Sequence, residues 1–268
     1  MLTIRLGILA TIAILPAFAQ VSSGPSPDTA QPTTPRWHAP IRGLVDHNDG
    51  TVTTENWSGY AVTGTDFTKA EASWIVPSVT CKSGDQYAVF WVGIDGYTSS
   101  TVEQTGTEAT CTGTTAKYTA WYEFCCTEPI ITITSMAVQP GDKMSASVVY
   151  SSSTEEFTVA ITDERTGKSF SKSKKVSGAK RSSAEWIAEA PYDGSVLPLA
   201  DFGTVHFGED STGITANCYA TDSSTTGPIG NFSTFEEITM ATKAGKSEAV
   251  PSGLSGDGTS FSVTWAAQ

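Results

Sequence analysis

Short stretches of alternating apolar and polar residues recur along the chain, separated by turn residues. A period of two puts successive side chains on opposite faces of a strand. It predicts strands at 57–62, 70–76, 87–94, 101–105, 118–124, 130–137 and 143–150. Others are predicted at 156–163, 168–175, 183–189, 203–207, 235–240 and 260–265. Pro140-Gly141-Asp142 and Arg165-Thr166-Gly167 supply turns between them. So many strands at this spacing, with no repeat of fixed period, predict an all-β sandwich rather than a propeller or solenoid.

The same alternation sorts the side chains by face. Trp91, Gly93 and Asp95 share one face, and Phe90, Val92 and Ile94 share the other, which reads as core. Thr119, Trp121 and Glu123 lie opposite Tyr118, Ala120, Tyr122 and Phe124. Glu185, Ile187 and Glu189 also share a face. Three strands thus set a carboxylate beside an aromatic or aliphatic residue. Desolvation raises the pKa of such a carboxyl, as a general acid or base requires. The simpler reading is of surface carboxylates on a polar sheet.

Composition narrows the field. Ser and Thr total 70 of 268 residues, which suits strands and turns. The net charge of −12 argues against a nucleic-acid partner. Of three histidines, His38 and His47 precede the expected folded body, leaving His206. A zinc site of several histidines is thereby excluded, and a Ser-His-Asp triad would need His206. Only 13 Lys and Arg follow residue 50, so self-repulsion in acid is small. Seven of these fall between Arg165 and Arg181, read as a solvated hairpin rather than a polyanion site.

Residues 1–19 read as a secretory signal peptide: Arg5, the apolar run Leu6–Leu15, then Ala17-Phe18-Ala19 before a cut. Secretion, or a periplasmic location in a bacterial host, is expected. No later apolar run is long enough to span a membrane. Residues 20–50, rich in Pro, Ser and Thr, read as a linker or short propeptide, and 51–268 as one folded domain. If the propeptide inhibits, Arg36 and Arg42 would approach an acidic cleft. Five cysteines in an exported chain imply disulfides. Cys81 and Cys111 are the first expected pair. Cys125 and Cys126 are adjacent, and one of them is free to meet Cys218 instead. Asn56-Trp57-Ser58 and Asn231-Phe232-Ser233 are glycosylation sequons.

The Asp-Thr-Gly and Asp-Ser-Gly signatures, the Gly-x-Ser-x-Gly elbow and His-Glu-x-x-His are all absent. What is present, in order, is Asn56–Tyr60 (NWSGY), Trp74–Pro77 (WIVP), Phe90–Gly96 (FWVGIDG) and Glu103–Thr107 (EQTGT). Ala120–Glu123 (AWYE), Ala184–Glu189 (AEWIAE) and Leu197–Gly203 (LPLADFG) follow. This ordered set resembles the glutamic peptidases, also called eqolisins or the G1 family. The resemblance spans about 150 residues and fades over the last 60. It implies a sandwich of two large antiparallel sheets, of concanavalin-like or lectin-like architecture. It also implies a secreted, acid-acting endopeptidase that needs no cofactor or metal and acts on polypeptides, and we expect a monomer. By resemblance the catalytic pair is Gln104 and Glu189, supported in the cleft by Trp57, Trp91, Asp95 and Glu123. Two departures stand out: Thr119 occupies a position where fungal members carry Asp, and their cysteine pattern is not reproduced.

In the chemistry so implied, ionised Glu189 takes a proton from the attacking water. The Gln104 amide donates to the developing oxyanion, and Glu189 returns the proton to the leaving nitrogen. Asp95 and Glu123 hold water and orient Gln104. Acid operation follows if these neighbours must be protonated to avoid like-charge repulsion. Two other readings remain open at this level. A glycoside hydrolase needs a closer pair than Glu185 and Glu189, about 13 Å apart by strand rise, which leaves Glu123 with Glu189. A non-catalytic carbohydrate-binding protein would use the seven tryptophans for stacking.

Overall fold

The computed structural model describes residues 31–32, 37–126, 128–215 and 218–266. The expected signal peptide and Arg36 lie outside the described residues. Among the described residues strands dominate, with one short helix, Glu209–Thr212, and one 3-10 turn, Ile229–Asn231. Among the described residues no helix is long and apolar enough to cross a membrane.

Two antiparallel layers make the sandwich. One runs, strand beside strand, Phe235–Ala241, Trp57–Thr63, Ser183–Glu189, Asp85–Ile94, Val102–Thr112, Thr115–Cys125 and Ile131–Thr132. The other runs Lys168–Lys174, Glu156–Asp163, Lys143–Ser151, Lys69–Ile75, Thr204–Phe207, Phe261–Trp265, Ser247–Pro251 and back to Phe235–Ala241. Phe235–Ala241 belongs to both, so a single sheet curls over and packs on itself. Thr51–Thr54 joins beside it as a parallel neighbour.

The core between the layers takes Phe90, Val92, Ile94, Ala120, Tyr122, Phe124 and Trp186, the side chains that alternation assigns inward. Each large ring so buried contributes about 2–3 kcal/mol. The indole N–H groups of Trp186 and Trp74 cross the core to the Glu71 carbonyl (2.9 Å) and the Thr107 hydroxyl (3.0 Å). The outer face of the first layer carries a second buried cluster that includes Trp57, Val89, Trp91, Trp121 and Ile187. A strand alternating between two buried faces is what lets a site form on the side away from the core.

Several predicted elements change. The expected strand at 130–137 shrinks to Ile131–Thr132. Beyond it the Met136 N–H bonds the Ile133 carbonyl, so Ile133 and Met136 anchor a turn rather than alternate. The strand expected at 101–105 runs on to Thr112, because both of its faces are buried and no polar contrast marks them. The strands Thr51–Thr54, Tyr219–Thr221, Thr226–Pro228 and Ser247–Pro251 carry little apolar pattern and escape sequence reading. Cys81 and Cys111 form the expected disulfide, Cys125 is bonded to Cys126, and Cys218 is a buried free thiol. Four of the seven basic residues between Arg165 and Arg181 are ion-paired: Arg165 with Asp142, Lys174 with Glu128, Lys175 with Glu155 and Arg181 with Asp66.

Candidate active site

Strand register builds the site as three parallel rows across the outer face. The first is Glu185, Gly93, Gln104 and Glu123. The second is Ile187, Trp91, Gly106 and Trp121. The third is Trp57, Glu189, Val89, Glu108 and Thr119. The middle row needs its glycine. A Cβ on Gly106 would lie 2.1 Å from the Phe90 carbonyl oxygen and 2.7 Å from the Trp91 Cβ.

Gln104, Glu123 and Glu189 are fully buried. The Gln104 Nε2 donates to Glu123 Oε2 at 3.1 Å, which fixes the amide. The Trp91 indole donates to Glu189 Oε2 at 2.8 Å. Burial pushes the Glu189 carboxyl well above its ordinary range, and nearby Glu123 adds to this. Three donors act in the opposite sense: the Trp91 indole, the Ala39 backbone N–H and the Trp57 indole. Burial likewise raises Glu123, while the His38 N–H and the Gln104 amide favour its ionised form. Two more carboxyls, Glu103 and Glu185, are raised by burial and then by Asp95.

Asp95 itself does not contact Gln104. At a positive φ of 71°, it accepts the backbone N–H groups of Lys180 and Arg181, both at 2.7 Å, and of Ser182 at 2.9 Å. It ties the loop before Ser183–Glu189 to the end of Asp85–Ile94. The structure therefore brings together Gln104, Glu189, Glu123, Trp57 and Trp91, and sets Asp95 behind them.

Sequence reading missed three participants. Glu108 is nearly fully buried, directly opposite Thr119 in the register. The second carboxylate of that row, beside Glu189, comes from Glu108 and not from position 119. The signal was available, since Glu108 is four residues after Gln104 and so on the same face. Asn56 is buried, and its Nδ2 reaches the carbonyls of Ala39 (3.3 Å) and Pro40 (3.4 Å). Its amide is thus committed inside the protein. The third is the chain itself. Residues 37–42, within the stretch read as a linker or short propeptide, run across these rows with a bend at Pro40. His38 and Ala39 are as buried as the core.

That segment explains where empty space is found. A cavity of about 580 Å³ lies beyond Arg42 and Tyr192, also bordered by Val196, Lys243 and Glu248. It does not lie over Gln104 and Glu189, because residues 37–41 fill that place. The Arg42 guanidinium stacks 4.9 Å from the Tyr192 ring centre. Among the described residues no three His, Cys, Asp or Glu side chains group so as to hold a metal ion.

The sequence profile of the peptidase A4 family matches residues 55–255. Aspergillopepsin-2 of Aspergillus niger is 30% identical over 176 residues, which is 57% of this chain and 62% of that protein. Scytalidopepsin B of Scytalidium lignicola is 34% identical over 138 residues, 50% of this chain and 51% of that protein. The chain thus spans less than two thirds of the length of both. Scytalido-glutamic peptidase, solved with a transition-state-analogue inhibitor, superposes with a TM-score of 0.65 at 24% identity. That match covers 79% of this chain and 98% of the other. Aspergilloglutamic peptidase from Aspergillus niger superposes with a TM-score of 0.57 at 26% identity, over 68% of this chain and 99% of the other.

Proposed function

The chain belongs to the peptidase A4 family, and from that premise we propose that it is a secreted, acid-acting endopeptidase working through Gln104 and Glu189. One observation carries this reading. Gln104 hydrogen-bonds the carbonyl of a buried peptide group, and Glu189 lies close to the same peptide. The Gln104 Nε2 donates to the His38 carbonyl oxygen at 2.8 Å, and the N–H of the same peptide, on Ala39, acts on Glu189.

Glu189 in its ionised form accepts a proton from water as the water oxygen bonds the carbonyl carbon. The carbonyl oxygen gains charge where the Gln104 N–H already points, and this donor costs no reorganisation. Glu189 then passes the proton to the departing nitrogen. Glu123 acts on Gln104, accepting one amide hydrogen so that the other faces the substrate oxygen. Residues 37–42 deepen the burial that raises the Glu189 carboxyl, so its ionised form serves as base at acid pH once the cleft is open to water. Acidic working pH follows from the crowd of carboxyls, Glu103, Glu108, Glu123 and Glu185, whose charges oppose one another when all are ionised. Substrate is an extended polypeptide gripped largely through its backbone. The sugar-cleaving alternative is not favoured, because Glu123 is bound to Gln104 and to the His38 N–H instead of standing free opposite Glu189.

The test is digestion of a denatured protein at about pH 3.5, near ordinary carboxyl pKa values, with pepstatin and a chelator present. Glu189→Gln, shown folded by circular dichroism, is expected to lose at least about 10³-fold in rate. Gln104→Ala is expected to lose about 10²- to 10³-fold. Digestion by folded Glu189→Gln at the wild-type rate removes Glu189 from the mechanism and makes Glu123 the next candidate.

A further inference from the structure

The Trp91 side chain lies along the sheet, and two glycines leave it the room. On the neighbouring strand Gly106 stands opposite Trp91, where a Cβ would lie 2.7 Å from the Trp91 Cβ. On the same strand Gly93 is the next residue on that face. A Cβ on Gly93 would lie 2.8 Å from Trp91 Cζ3 and 3.2 Å from Cε3. The benzene edge of the indole therefore rests over Gly93, in the first row between Glu185 and Gln104. The N–H lies on the far side of the ring from these carbons. It points into the third row and meets Glu189 Oε2 at 2.8 Å. One fully buried ring thus reaches from the first row to the third.

The ring has little freedom to turn. Trp57 meets it edge-on, with ring centres 5.0 Å apart and planes at 76°. Val89, Trp121 and Ile187 belong to the same buried cluster. A methyl group at position 93 would overlap Cζ3, and the Glu103 carbonyl oxygen, 3.2 Å from that methyl, crowds it further. The ring would have to tilt or slide. An indole is a rigid plane, so any such movement carries the N–H with it.

We propose that Gly93 is a positioning residue of the peptidase reaction: it lets the Trp91 indole lie flat and so aims the indole N–H at the Glu189 carboxylate. The inference rests on the reading of Glu189 as the catalytic base. Gly93 has no side chain to offer substrate or Glu189, and it acts through the ring alone. A hydrogen bond aimed at a carboxylate favours the ionised form. Burial opposes ionisation of Glu189, and the Trp91 indole leads the donors that offset it. The other titratable groups around Glu189 are Glu108 and Glu123 on the neighbouring strands and His38 above them. A methyl group at position 93 adds no charge and removes none. Its effect on the base therefore passes through the angle and length of one hydrogen bond.

The test is a double-mutant cycle of Gly93→Ala and Trp91→Phe. Phenylalanine lacks the outer carbons of the indole, so it leaves the methyl group its space. In urea denaturation Gly93→Ala should lower the midpoint clearly when Trp91 is present and much less in the Trp91→Phe background. In the pH profile of kcat/KM on a peptide substrate, Gly93→Ala should move the acidic limb upward by about one pH unit, the scale of one hydrogen bond to a charged group. Trp91→Phe should move it as far, and the two changes together no farther. With isotope-labelled indole nitrogens, the resonance missing from Trp91→Phe is that of Trp91. It should shift with pH as Glu189 titrates in wild type, and shift less in Gly93→Ala; this readout needs no turnover. If Gly93→Ala alone does not fold, folding of the double variant supports the inference, and failure of both overturns it. An acidic limb moved by Trp91→Phe but not by Gly93→Ala overturns it and leaves the peptidase reading in place. So does an equal loss of stability in both backgrounds. If the Trp91 resonance responds as expected while neither variant moves the limb, Glu189 is not the base, and the inference falls with that assignment.

Discussion

At the scale of single residues, the ionisation of Glu189 is set by a contest between burial and three donors, of which the Trp91 indole is the strongest. Trp91→Phe keeps most of the ring in the middle row and removes that N–H. The ionised form of Glu189 is then less favoured, so its pKa rises further. The base exists only at higher pH, and the acidic limb of kcat/KM against pH moves upward. A pH–rate profile on a peptide substrate checks this, and an unmoved limb would show that the indole does not govern the base. Gln104, Glu189 and Glu123 were singled out by the short motifs in which they sit. Glu108 shares the face of Gln104 and was readable from that spacing, but its place opposite Thr119 and the bonds of Asn56 depend on what lies across the sheet. Asp95 was legible as a cleft residue, but its backbone turn at positive φ carries its carboxylate to the 180–182 loop.

At the scale of elements, the site depends on how closely strands Asp85–Ile94 and Val102–Thr112 approach each other. Gly106 makes that approach possible. Gly106→Ala forces the pair apart or displaces Trp91, at a cost of about 3 kcal/mol typical of overpacking. Urea denaturation should show a lowered midpoint, and activity should fall by more than the loss of folded protein explains. Unchanged stability would mean that the two strands separate easily there. Alternation predicted the inward and outward faces of the central strands well, because each has one aromatic-rich face and one mixed face. It failed at 130–137, where apolar residues spaced by three support a turn. It also stopped short in 101–105, where burial of both faces erases the contrast on which the method depends.

At the scale of the whole molecule, four buried carboxyls, Glu103, Glu123, Glu185 and Glu189, titrate well above the ordinary value of 4.5. Raised native pKa values mean that the fold binds protons which the unfolded chain has released. The stabilisation is complete below the unfolded carboxyl pKa and is lost as pH rises through the native values. Each such group lowers stability by at most about 1.4 kcal/mol per pH unit within that window. Thermal unfolding should therefore show a higher Tm near pH 4 than near pH 7. A Tm that rises steadily toward neutrality would mean these carboxyls are paired and ionised in the fold. The scarcity of Lys and Arg works in the same direction, by limiting repulsion in acid.

The sequence by itself determined the two-faced strands, the all-β class and the ordered motifs that mark the family. All of these are written locally, in periodicity and in residue identity over a few positions. The tertiary structure decided the register that lines up Gln104 with Glu123 and Glu189 with Trp57, the place of Glu108, and the filling of the cleft by residues 37–42. Register is a non-local choice, made by burying whole faces at once. The segment in the cleft is held mainly through backbone hydrogen bonds, which every sequence offers alike and which therefore leave little mark in the order of side chains.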